Sequence, residues 1–85
     1  MISQKSFDKI LINLKNSEAL VLFELITNLN ENDQLLSEID ESSQRVMFDL
    51  ESVLESILTE PFRDNYKILL DNAKKEILNP DSADL

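Results

Sequence analysis

Glycine, cysteine, histidine and tryptophan are all absent from this 85-residue chain. Each absence removes a class of chemistry. Without cysteine there is no disulfide and no thiolate metal site. Without histidine the commonest transition-metal ligand and the commonest general base are missing, and with them any Ser-His-Asp arrangement, HExxH zinc helix or Glu-x-x-His di-iron bundle. Without glycine there is no phosphate-binding P-loop and no dinucleotide-binding turn. A β-rich fold of this length ordinarily uses glycine in tight turns and bulges, whereas a helical bundle can end its helices on asparagine. Long apolar runs are also missing. The longest, from Ala19 to Phe23, is far too short to cross a bilayer. The first residues lack the apolar run and cleavage site of a signal peptide, so the expected location is the cytosol.

What is present is a 42% hydrophobic fraction, that of a folded chain. The length suits one domain, for which a single core is only marginally stabilising. With disulfides and thiolate metal sites excluded, the core must pack well, or the protein must pair with itself or with a partner. The expected fold class is all-α, a bundle of about four helices in a single domain over residues 1–79, with a short disordered tail over 80–85.

Periodicity places those helices. In the first segment, 4–15, Phe7, Ile10, Leu11 and Leu14 recur at helical spacing. The second, 18–29, is apolar nearly all round and should be the most buried; a single kinked helix through both is the alternative. The third, 33–59, carries Leu36, Ile39, Val46, Leu50, Val53 and Ile57 on a 3-4 alternation. Its stretch Asp40-Glu41-Ser42-Ser43 is built of helix-start residues and favours a break or bend there. The fourth, 61–78, starts on Pro61, where a missing amide is harmless. Phe62, Tyr66, Leu69, Leu70, Ala73 and Ile77 line it, and Asn79-Pro80 ends it.

The net charge of −9 is concentrated in the third segment. Residues 31–60 hold a single cation, Arg45, against nine acids, a balance of −8; residues 1–30 balance to zero and residues 61–85 to −1. Such a surface disfavours nucleic-acid phosphates and anionic membranes and favours encounter with a basic protein. Glu38, Glu41, Arg45 and Asp49 fall along one outer face, and Glu51 and Glu55 form a like-charged pair beside it. That pair destabilises an isolated helix by roughly 0.2–0.5 kcal/mol. The partner-binding candidates are therefore Glu38, Glu41, Asp49, Glu51 and Glu55. A plainly solvated face is the competing explanation of the same charges.

Other readings have less behind them. Asn28-x-Asn30-x-Asn32 opens like a calcium loop but has Asp33 where glycine is needed and Ile39 where the bidentate Glu should stand. Asp40-Glu41-Ser42-Ser43 sits where an acyl carrier would hold its prosthetic arm, yet in that stretch no Asp directly precedes a Ser and no Leu follows one. No catalytic group, cofactor or metal is expected. Phe48, one position off the main stripe, is either packed on another helix or an exposed anchor.

In size, acidity and helical character the chain resembles the small immunity proteins of bacterial contact-dependent growth inhibition systems. The C-terminal pattern Glu60-Pro61-Phe62-x-x-x-Tyr66-x-x-Leu69-Leu70-x-x-Ala73 carries the resemblance over about the last half of the chain. It implies a cytosolic inhibitor that blocks the basic cleft of a toxin, often a nuclease. It transfers no functional residue. A phage-type nucleic-acid mimic and a homodimeric helical adaptor are the alternatives.

Overall fold

A computed structural model describes residues 2–6 and 8–79 of the chain. The expected tail, 80–85, and Phe7 lie outside the described residues. The expected all-α bundle is what forms the body: among the described residues there are four α-helices and little strand. They are α1 (Asn16–Asn30), α2 (Asp33–Ser37), α3 (Glu41–Ile57) and α4 (Tyr66–Leu78).

The segment 4–15 is not one of them. Its residues 4–6 and 9–13 belong to an antiparallel hairpin of β1 (Ile2–Ser6) and β2 (Lys9–Asn13), in which Ser6 pairs with Lys9 and Ile2 with Asn13. The 7-10-11-14 spacing that favoured a helix competes with the sequence Ile10-Leu11-Ile12, whose β-branched residues suit an extended strand. Asp8 supplies the turn, so the hairpin closes without glycine.

α1 begins where the Glu18 carboxylate accepts the Lys15 amide hydrogen at 2.9 Å. That bond satisfies one of the donors left open at the helix entry and holds the Glu18 pKa below its usual value. α1 is, as expected, the most buried helix: Ser17, Leu20, Phe23 and Ile26 are all buried. It is also the central one. Both α3 and α4 pack against it. The core is the seam of these contacts, Leu20, Phe23 and Ile26 meeting Leu54, Leu58, Leu70 and Ala73. Met47, Leu50 and Tyr66 close over it half-buried.

The expected third helix does break. α2 is a five-residue turn of helix capped by Asn32, whose Oδ1 accepts the Leu35 amide at 3.1 Å. The chain then re-enters helix on Asp40, which caps α3 by accepting from the Ser43 amide at 3.2 Å and from the hydroxyls of Ser42 and Ser43. Gln44 fixes the joint: its Nε2 donates to the Leu36 and Ile39 carbonyls at 2.7 and 2.8 Å. A side chain from the first turn of α3 thus holds two carbonyls of the connection from α2, that of Leu36 in addition to its bond from the Ile39 amide.

Two finer expectations are corrected. Pro61 lies in a 3₁₀ turn, Glu60–Phe62, separate from α4, because the turn residues Asp64 and Asn65 interrupt the helix. Phe62 is therefore exposed and does not share the apolar face of α4. In α3 the buried line is Met47, Leu50, Leu54 and Leu58, not Val46, Leu50, Val53 and Ile57. The helix carries two adjacent apolar stripes that share Leu50, and only one of them meets α1.

Candidate functional site

The acidic residues singled out by charge divide into two groups in the fold. Glu38 ends α2, and Glu41, Asp49 and Glu55 lie on α3; all four are exposed. Steps of 100° per residue place Glu41, Arg45, Phe48, Ser52 and Glu55 on one side of α3, with Asp49 at its margin. Glu51 lies at the opposite margin, the one toward α1. It is half-buried, and its Oε1 accepts a 2.9 Å hydrogen bond from Asn30 Nδ2 of α1. Glu51 thus works inside the bundle as a strut between α1 and α3. The structure brings four of the five candidates to the open surface and leaves the fifth, Glu51, half-buried and bonded to Asn30.

Between the first turns of α3, Glu41, Gln44, Arg45, Phe48 and Asp49 line a hollow of about 380 Å³. Phe48 is 45% exposed there, so the aromatic left undecided by the sequence is not packed into the core. An exposed ring ringed by carboxylates and one guanidinium suits a protein partner: apolar contact at the centre, charge at the rim. The break at Asp40 brings Glu38 to the same end of α3, because Gln44 ties the end of α2 down against the helix start.

Asp40 itself is held at a pKa of about 2, against an ordinary 3.8, chiefly by the Ser42 and Ser43 hydroxyls and the Ser43 amide. Its charge is committed to the cap. Glu60 is similarly engaged: Asn16 Nδ2 donates to it at 2.6 Å, and this bond first of all lowers its pKa. Glu60 thereby brings negative charge to the amino end of α1, where the helix dipole favours it.

A second hollow, about 220 Å³, lies between α1, the 3₁₀ turn and α4, with Ser17, Glu60, Asn72 and Glu76 among its walls. The buried Ser17 hydroxyl at its edge has no partner among the described residues. No three of the described His, Cys, Asp or Glu residues converge as a metal site requires. No described helix is long and apolar enough to cross a membrane.

Phe48 and Gln44 were the site residues least visible from charge. Phe48 stood out only as an aromatic off the apolar stripe, and Gln44 gave no signal, since its role depends on carbonyls of another helix. No family model, curated protein or solved structure matches the chain.

Proposed function

We propose that this chain is a cytosolic inhibitor of the immunity-protein kind, which binds a basic bacterial toxin domain, of the nuclease class, and covers its active-site cleft. One observation carries the reading. Residues 31–60 balance to −8, and of their acids Glu38, Glu41, Asp49 and Glu55 are exposed, with Glu41 and Asp49 beside the exposed ring of Phe48. Glu38, Glu41, Asp49 and Glu55 supply the field that attracts a basic cleft, and Phe48 supplies apolar contact once the surfaces meet. The mechanism is blockade. The carboxylates take the positions of substrate phosphates, and no bond is made or broken.

The test is capture of the partner on tagged protein at two salt concentrations, followed by kinetics with the purified partner. The expected partner is a single basic protein bound one-to-one and inhibited by the complex. Association should slow as salt rises and slow again in Glu41→Lys and Asp49→Lys. Binding indifferent both to salt and to these reversals overturns the reading.

A further inference from the structure

The hollow of about 220 Å³ between α1, the 3₁₀ turn and α4 shares no residue with the one around Phe48. α4 gives it Leu69, Asn72, Ala73 and Glu76, which fall on one face at spacings of three and four. The start of α1 gives it Ser17 and Leu20, and the turn gives it Glu60. Leu20, Leu69 and Ala73 make part of the wall apolar, and two carboxylates make the rest acidic. Among the described residues no Lys or Arg lines it; Arg63 acts on Glu60 through charge but is not in the wall.

Ser17 is the unusual member. It is 7% exposed, and its hydroxyl has no hydrogen-bond partner among the described residues. Buried polar groups are nearly always paired, so this one calls for a group that reaches it from the hollow. Glu60 also has capacity left. Its Oε2 accepts from Asn16 at 2.6 Å, and its Oε1 from the Thr59 amide and hydroxyl at 3.2 and 3.5 Å. A carboxylate has about four acceptor positions.

Charge and size select the ligand. The amino end of α1 carries about half a positive charge, which Glu60 and Glu76 together outweigh, so an anion is disfavoured. No three described carboxylates converge as a metal ion requires. The volume is below the roughly 300–1,000 Å³ of sites for drug-sized molecules, which leaves a group of a few heavy atoms. A primary ammonium is a compact charge with three N–H donors, carried on an apolar stem. We propose that this hollow binds a primary alkylammonium group, its N–H donors meeting Glu60, Glu76 and the Ser17 hydroxyl and its stem lying on Leu20, Leu69 and Ala73. The site is independent of the acidic surface around Phe48.

Titration of the isotope-labelled full chain with n-butylammonium, followed by its amide resonances, tests this. Saturable shifts should appear at Ser17, Asn72 and Glu76 and not at Phe48, with a dissociation constant of about 10 mM or below. n-Butyltrimethylammonium has the same charge and stem without N–H donors, and should bind at least about tenfold more weakly. Glu76→Gln, at an exposed position, should weaken n-butylammonium about tenfold, and Ser17→Ala about threefold. The amide spectrum reports the folding of each variant. The acetylated, amidated tripeptide Ala-Lys-Ala separates the two sources of such a group. Binding at least as tight as that of n-butylammonium assigns it to a lysine side chain of a protein, and weaker binding assigns it to a free amine. Absence of saturation by either compound up to about 50 mM overturns the proposal. So does equal binding of the trimethyl compound, or binding weakened in neither variant, which would leave the hollow and the Ser17 hydroxyl to water.

Discussion

The Tyr66 hydroxyl on α4 donates a 2.8 Å hydrogen bond to Glu24 Oε2 on α1, across forty-two residues of sequence. Burial first, and this bond second, push the phenol's pKa well above its ordinary 10.0. Tyr66 also packs half-buried over the core. One side chain therefore joins the central helix to its neighbour by both apolar and polar contact.

Tyr66→Phe should keep the fold and lower its stability by about 1 kcal/mol, less than is usual for a bond to a charged group because the site is partly open. Urea denaturation measures it. The raised pKa means that the folded state retains the phenolic proton better than the unfolded chain. Its contribution is fully present below pH 10 and is lost as pH rises toward the folded pKa. Tyr66 is the sole tyrosine and there is no tryptophan, so its absorbance titration is unobscured. Phenolate appearing at the ordinary pKa in folded protein would show that the bond is absent in solution.

Asp40 gives the opposite pH signature. Its folded pKa of about 2 lies below the ordinary 3.8, so its stabilisation is present above 3.8 and is lost as pH falls toward 2. Asp40→Ala should lower the melting temperature at neutral pH, with a difference from the parent that shrinks in acid. Asp40→Asn should recover part of the loss, because an amide oxygen still accepts from Ser43. An equal loss for both variants at all pH values would contradict the cap.

The two halves of the Glu51–Glu55 pair should behave differently. Glu55→Lys removes an exposed like-charge neighbour and should leave stability unchanged or slightly higher. Glu51→Lys breaks the bond from Asn30 and should be destabilising by about 1 kcal/mol. Thermal melts of the two variants settle the point, and equal behaviour would mean that Glu51 is not a strut between α1 and α3.

The phase of α3 can be read from neighbouring residues. Leu54 is 6% exposed and Val53 is 53% exposed. Leu54→Ala should be destabilising by about 2–4 kcal/mol, a large fraction of the 5–15 kcal/mol typical of a domain. Val53→Ala should change monomer stability by less than about 0.5 kcal/mol. The reverse order in chemical denaturation would place the other stripe against α1.

The separation of the two stripes shows how far the sequence reaches. Helix existence was legible: the apolar density of 18–29, the capping residues at Asp40 and the stop at Asn79 all appear where the residues point. Which stripe of α3 enters the core was not. Val46-Leu50-Val53-Ile57 and Met47-Leu50-Leu54-Leu58 are both regular, and only the surface of α1 distinguishes them. For residues 4–15, local periodicity allowed helix and strand alike. The candidate site divides in the same way, since charge counting found the acidic segment but could not tell exposed Glu55 from inward-turned Glu51.

The sequence by itself determined that this is a helical, acidic protein lacking the residues for thiol, imidazole or P-loop chemistry, because composition and charge do not depend on how segments meet. Only the tertiary structure decided that Glu51 reaches Asn30, that Gln44 closes α2 onto α3, and that Phe48, Val53 and Ile10 are left exposed. Those outcomes depend on which helices are adjacent and at what rotation. Burial belongs to a pair of surfaces, and a chain read one residue at a time carries only one of them.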